Sequence, residues 1–235
     1  MLGKDAVKKI LSDPRHRSPI GRRFRAFMAA RSRYAEDQLA RAVARGATQY
    51  VILGAGLDTF AYRNPFRNLR VFEVDHPATQ LWKRELLQSA NIAIPSKVVY
   101  VPIDFERQTL DDAGIDRAAM TFFSWLGVIP YLTREAAMST LHFIASMPSG
   151  SGVAFDYAVD PSSLGFLQRA AFNALSRRVA KAGEPFRLFF HPRDLADSLK
   201  RLGFRDIEDL DSAQINTRYA AGIAGDIGRL CGAGL

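Results

Sequence analysis

Val51-Ile-Leu-Gly-Ala-Gly-Leu-Asp-Thr59, followed by Val71-Phe-Glu-Val-Asp75, are the two segments from which the fold of this chain is read. Val51 to Leu53 is an apolar, β-prone run of the kind a buried parallel strand shows. Gly54 and Gly56 then let the backbone turn tightly beneath a ligand. A dinucleotide fingerprint wants a third glycine where this chain has Thr59, and Asp58 would repel a pyrophosphate at a helix N-terminus. The same carboxylate attracts a cationic amine. Asp75 lies 21 residues after Gly54, near the spacing of about 20 at which an acidic residue grips ribose hydroxyls. A nucleoside ligand carrying an amine and a sulfonium but no phosphate meets both conditions, and S-adenosyl-L-methionine is that ligand.

Working outward, Ile20, Phe24, Phe27 and Met28 recur at helical spacing, and Leu39 and Val43 continue the stripe after a phase shift near Arg31-Ser-Arg-Tyr34. Two helices, or one bent helix, are expected from Pro19 to Arg45. Strands are expected at Val51–Leu53, Arg70–Val74, Lys97–Val101, Met120–Trp125, Gly152–Tyr157 and Phe204–Leu210, with a seventh near Ile227–Leu230. Helices are expected after His76-Pro77, at Arg134–Ala145, at Ser163–Ala182 and at Pro192–Leu202, with Gly203 as the stop. Alternation on this scale means an α/β, doubly wound, mostly parallel sheet. One domain is expected: an N-terminal helical region over 1–45, a ligand-binding core over 46–160, a lid insertion over 161–186 and the C-terminal part of the core over 187–235.

Composition narrows the function classes. At 48% hydrophobic residues the 235-residue chain can bury a sizeable core, and no apolar run approaches the roughly 18 residues of a membrane span. Charges at Lys4, Asp5, Lys8 and Lys9, with no long apolar segment behind them, argue against a secretory signal, and the single cysteine, Cys231, fits a cytoplasmic location. The net charge of +8 is localised: residues 1–45 hold 12 Lys or Arg against 4 Asp or Glu, and the rest balances at 20 against 20. A solvated helix face accounts for this, and with aromatic stacking motifs missing a nucleic-acid partner is not expected. His16, His76, His142 and His191 are scattered, so no metal site is expected.

Five motifs in collinear order carry a family resemblance: Ala30-Arg-Ser-Arg-Tyr-Ala-Glu-Asp37, Gly54-Ala-Gly-Leu-Asp-Thr59, Phe72-Glu-Val-Asp-His-Pro77, Val101-Pro-Ile-Asp-Phe105 and Trp125-Leu-Gly-Val-Ile-Pro-Tyr-Leu132. Over roughly residues 27–210 the chain resembles the bacterial branch of the leucine carboxyl methyltransferase family. The resemblance implies a class I methyltransferase fold, Rossmann-like and seven-stranded, with N-terminal helices and a helical lid. It implies Arg31 for the methionyl carboxylate, and Gly54, Ala55, Gly56 and Asp58 for the methionyl part. Glu73 and Asp75 fall in the ribose motif, Asp104 and Phe105 hold adenine, and Ser124 precedes the fourth motif. Two departures stand out. Leu126 occupies a position where many members carry glutamate, and only 30 residues precede Arg31, fewer than members usually have.

The implied reaction is methyl transfer from S-adenosyl-L-methionine to an oxygen of a small molecule, a carboxylic acid or a hydroxyl, leaving S-adenosyl-L-homocysteine. Tyr131, Asp156, Tyr157, Arg187 and His191 are the candidates for contacting the acceptor, because they follow strands four and five or flank the insertion. Two other readings stay open: an RNA methyltransferase led by the basic N-terminal region, and a non-catalytic cofactor-binding or RNA-binding protein suggested by the two departures.

Overall fold

Near-continuous apolar runs along the central strands, buried over their whole length in Gln49–Leu53, Thr121–Trp125 and Gly152–Tyr157, leave both sheet faces needing cover, and helices supply it on each side. The computed structural model describes residues 19–163, 169, 186–219 and 228–235. Its elements are α1 (Pro19–Ala44), β1 (Gln49–Leu53), β2 (Arg70–Asp75), α2 (Pro77–Ser89), β3 (Val98–Pro102), β4 (Thr121–Trp125), α3 (Arg134–Ala145), β5 (Gly152–Tyr157), α4 (Pro192–Leu202), β6 (Asp206–Leu210), α5 (Ser212–Tyr219) and β7 (Arg229–Gly234). One seven-stranded sheet runs β3-β2-β1-β4-β5-β7-β6. β1 to β5 pair in parallel, and β7 inserts antiparallel between β5 and β6. The reversal from β1 outward to β2 on one side and β4 on the other opens a crevice at the strands' C-terminal ends, where α/β sheets bind ligands.

One face packs Phe72, Val74, Phe123, Trp125, Phe155 and Tyr157 against Leu141 and Ile144 of α3 and Leu195 and Leu199 of α4. The other packs Tyr50, Ile52, Val71, Phe122 and Ala154 against Phe27, Tyr34 and Leu39 of α1 and Ile215 of α5. Each buried large apolar side chain contributes about 1.5–3 kcal/mol.

The sequence expectations for α3, β5 and α4 match the observed bounds. Of the two alternatives expected for the N-terminal region, the single helix is the one observed, Pro19–Ala44, of 26 residues. The phase shift disappears once Ala30, Tyr34, Ala35 and Ala42 are counted, all of them buried and completing the stripe that Phe27 and Leu39 begin. α5 was not expected, and β7 lies later than the expected Ile227–Leu230 and runs through Gly232 and Gly234. Gly232 has a packing reason: a Cβ there would lie 2.3 Å from the Tyr34 hydroxyl. That hydroxyl passes over β7 to donate to Glu208 on β6 at 3.0 Å. The expected lid over 161–186 lies outside the described residues apart from its two ends and Arg169.

Candidate functional site

Gly54 and Gly56 leave β1 at φ of 68° and 44°, in the left-handed region where a side chain is strained. The turn brings the N–H groups of Gly54 and Ala55 onto the carbonyl of Val74 at 2.8 and 3.1 Å. The N–H of Gly56 donates to the Asp75 carboxylate, whose other oxygen accepts from the His76 N–H at 2.7 Å. Asp75 therefore joins the glycine loop to the start of α2 and faces a cavity of about 760 Å³ at the C-terminal ends of the parallel strands. Asp104 and Phe105 line it after β3, and Gly127, Val128 and Tyr131 line it after β4. Arg187 stands on the remaining wall, with its N–H bonded to the Pro130 carbonyl at 2.7 Å.

The post-β4 loop fits against its neighbours at two glycines. A Cβ on Gly54 would lie 2.2 Å from Val128 Cγ2, and one on Gly127, itself at φ 73°, would lie 2.8 Å from Arg31 Nη1. Arg31 thus lies across Gly127. Its Nη1 donates to Asp156 Oδ2 at 2.7 Å, and the Gly127 N–H donates to Asp156 Oδ1. The Arg31 Nε is buried without a hydrogen-bond partner among the described residues, and only Nη1 of the guanidinium is bonded to Asp156.

Of the residues singled out from the sequence, Gly54, Gly56, Asp75, Asp104, Phe105, Tyr131 and Arg187 line one cavity. The others stand elsewhere, and strand alternation explains several of them. On β5, Tyr157 shares the α3 and α4 side with Phe155, where its hydroxyl donates to Asp209 Oδ2 at 2.9 Å. Asp156 points the opposite way, to Arg31. The two cannot both face an acceptor, and neither lines the cavity. On β4, Ser124 is buried and its hydroxyl accepts from Tyr50 at 2.7 Å. On β2, Glu73 lies one pleat repeat before Asp75, is buried, and pairs with Lys83 at 2.8 Å. Ala55 is buried within the loop. Asp58 accepts from the Phe60 N–H at 2.6 Å, just ahead of the short 3₁₀ turn Phe60–Tyr62. His191 precedes α4 and is held by Ser163 at 2.6 Å.

Reasoning from sequence missed Lys83, whose side chain is only 5% exposed. The signal was present: Gln80, Lys83 and Leu87 form one helical stripe, all buried, and a cation in the middle of such a stripe is exceptional. His76 and Thr79, at the start of α2, also line the cavity. Among the described residues no three His, Cys, Asp or Glu side chains converge as metal ligands, and no helix is long and apolar enough to cross a membrane.

Comparison with known proteins agrees with this architecture. A provisionally named S-adenosyl-L-methionine-dependent methyltransferase of Bacillus subtilis, YktD, is 39% identical over 199 residues, which is 81% of this chain and 64% of YktD. The chain therefore spans less than two thirds of that relative. Among solved structures, a DUF574 family protein from Streptomyces avermitilis superposes with a TM-score of 0.57 at 18% identity, covering 89% of this chain and 82% of that one. Human N-acetylserotonin methyltransferase in complex with SAM gives 0.52 at 14% identity, covering 93% and 57%. At these identities the two structures speak for the fold, which is the class I methyltransferase architecture. The leucine carboxyl methyltransferase profile matches residues 3–145, more than half of the 235 positions, and with the five collinear motifs it places this chain in the leucine carboxyl methyltransferase family.

Proposed function

We propose that the cavity at the ends of β1 to β4 binds S-adenosyl-L-methionine and that the chain transfers its methyl group to an oxygen of a small molecule, a carboxylate being the acceptor best matched to the site. The observation that carries this reading is the convergence of Asp75, Asp104 and the glycine loop on one cavity. An anion there disfavours a phosphate-bearing nucleotide and suits a ligand whose nucleoside offers hydroxyls. The residues present fit that ligand: Asp75 for the ribose, Asp104 and Phe105 for the adenine, the glycine loop for the methionyl chain, and the guanidinium of Arg31, lying across the cavity-lining Gly127, for the methionyl carboxylate.

The cofactor supplies an electrophilic methyl on a sulfonium, and the displacement at that carbon needs chiefly a nucleophile held in line. Well-oriented reactants gain effective molarities of about 10⁵–10⁸ M. What this chain contributes is placement. Arg187 and Tyr131 both line the cavity, and the positive charge of Arg187 suits an anionic acceptor. A carboxylate is already ionised at neutral pH, so no side chain has to accept a proton from it, whereas a hydroxyl acceptor would require one.

Calorimetric titration with S-adenosyl-L-methionine, S-adenosyl-L-homocysteine and NAD tests the reading. Micromolar binding of the first two and none of NAD supports it, with Asp75→Ala removing most of the affinity while the fold persists. Binding unchanged in Asp75→Ala refutes the ribose role, and no binding of either methionyl ligand refutes the site.

A further inference from the structure

We propose that Lys83 is a positioning residue for the cofactor loop: its buried ammonium fixes the backbone of Gly54–Asp58 from behind, and Glu73 supplies the counter-charge. The proposal rests on the cofactor reading above and adds to it a residue outside the cavity lining. Lys83 Nζ donates to the Asp58 carbonyl at 2.8 Å and lies 2.8 Å from Glu73 Oε2. It also stands over the Tyr62 ring at 5.4 Å. The Lys83 and Glu73 side chains are 5% and 1% exposed.

A buried ammonium is an expensive way to fill a helix face. Desolvation of the pair offsets much of its attraction, so packing alone would be served as well by an apolar side chain such as the neighbouring Leu87. What an apolar chain cannot do is donate a hydrogen bond to a carbonyl. The loop needs such a tether: it holds two glycines with positive φ, and it leaves Leu57 52% exposed, so its own packing anchors it weakly. Its front is tied by Gly56 to Asp75 and its base by Gly54 and Ala55 to Val74. Lys83 ties the far end.

The counter-ion matters equally. Burial is the largest influence on the Glu73 carboxyl and raises its pKa above the usual carboxylate range, with Lys83 opposing that effect. Tyr62, itself hydrogen-bonded to Tyr100 at 2.6 Å, closes the other side of this cluster. Glu73 balances the Lys83 charge, so the loop is held without a net positive charge behind a site read as accepting a cationic ligand.

The test compares two ligands on one variant. S-adenosyl-L-homocysteine carries the amino-acid end that the loop is read as holding, and 5′-methylthioadenosine has the same nucleoside and thioether without it. For Lys83→Met, affinity for the first is expected to fall about tenfold, the size of one lost charge-assisted hydrogen bond, while affinity for the second stays within about twofold. Because Lys83→Met leaves Glu73 unpaired, the double variant Lys83→Met/Glu73→Gln is measured alongside. It restores a neutral cluster and thermal stability but not affinity for S-adenosyl-L-homocysteine. Equal losses for both ligands, or a folded double variant that binds S-adenosyl-L-homocysteine like the native protein, overturn the positioning role. Native protein that binds neither ligand overturns the cofactor reading itself, a distinct result.

Discussion

Arg31 on α1 and Asp156 at the C-terminal end of β5 form an ion pair at 2.7 Å across 125 residues of sequence, with side chains 14% and 8% exposed. The backbone N–H of Gly127 donates to the second oxygen of the same carboxylate. One buried acid therefore fixes both the N-terminal helix and the loop after β4 at the edge of the cavity. A carboxylate first read as a contact for the acceptor is instead the support for the guanidinium that crosses Gly127.

Asp156→Asn should accordingly act through Arg31. The amide keeps the shape but loses the charge, and a hydrogen bond to a charged group is worth about 1.5–3 kcal/mol. Affinity for S-adenosyl-L-homocysteine is expected to drop by about tenfold. A decarboxylated analogue should bind the variant and the native protein alike, since it offers nothing for Arg31 to hold. Calorimetry on both ligands decides: a loss shared by the analogue would mean that the pair serves only packing.

Gly54→Ala should be costly for two separable reasons. At φ 68° an alanine is strained, and its Cβ would stand 2.2 Å from Val128 Cγ2. Strain of about 1–2 kcal/mol and overpacking of about 1–3 kcal/mol are the expected sizes. Adding Val128→Ala to this background removes the overlap and leaves the strain, so urea denaturation should show partial recovery and never the full native midpoint. Full recovery would mean that the backbone angle carries no cost.

Most of the fold was legible because apolar strand runs, helix stripes and glycine stops are local signals. α3, β5 and α4 are read correctly to the residue, and the glycine loop and Asp75 lead directly to the cavity. What local patterns miss depends on distant partners. β7 reads as a glycine-rich tail because Gly232 is dictated by Tyr34 on a helix nearly two hundred positions earlier. Ser124 and Glu73 sit inside motifs yet before the ends of their strands, where both are buried against other elements: Ser124 accepts from Tyr50, and Glu73 pairs with Lys83, while Asp75 at the end of β2 reaches the cavity. Lys83 looks like an ordinary helix-surface lysine until Glu73 and Asp58 are in view.

Gly232→Ala tests the crossing of α1 over β7. The added Cβ would lie 2.3 Å from the Tyr34 hydroxyl but 3.3 Å from the ring carbon that bears it. Tyr34→Phe removes the closer atom. A double-mutant cycle is therefore expected to show coupling, the pair costing less than the sum of the singles by about 0.5–3 kcal/mol. Additive costs would show that the β7 backbone shifts to make room and that the close approach is not what selects glycine.

The acid end of the same junction gives a pH dependence. Glu208 accepts from Arg218 at 2.9 and 2.6 Å, from Tyr34 at 3.0 Å and from Gln38 at 3.1 Å. The Arg218 hydrogen bonds are the largest cause holding its carboxyl below the usual range. A carboxylate whose pKa is lower folded than unfolded adds stability that is fully present above the unfolded value, about 4.3, and disappears as pH falls through the folded one. Because the pair is about a third exposed, 35% on each side chain, solvent screening limits the effect to at most about 1 kcal/mol. Glu208→Gln should be less stable than the native protein at pH 7, and the gap should close between about pH 5 and pH 3. Urea midpoints of the two proteins measured across that range provide the check: a gap that stays constant would show that the carboxylate contributes through shape and not through charge.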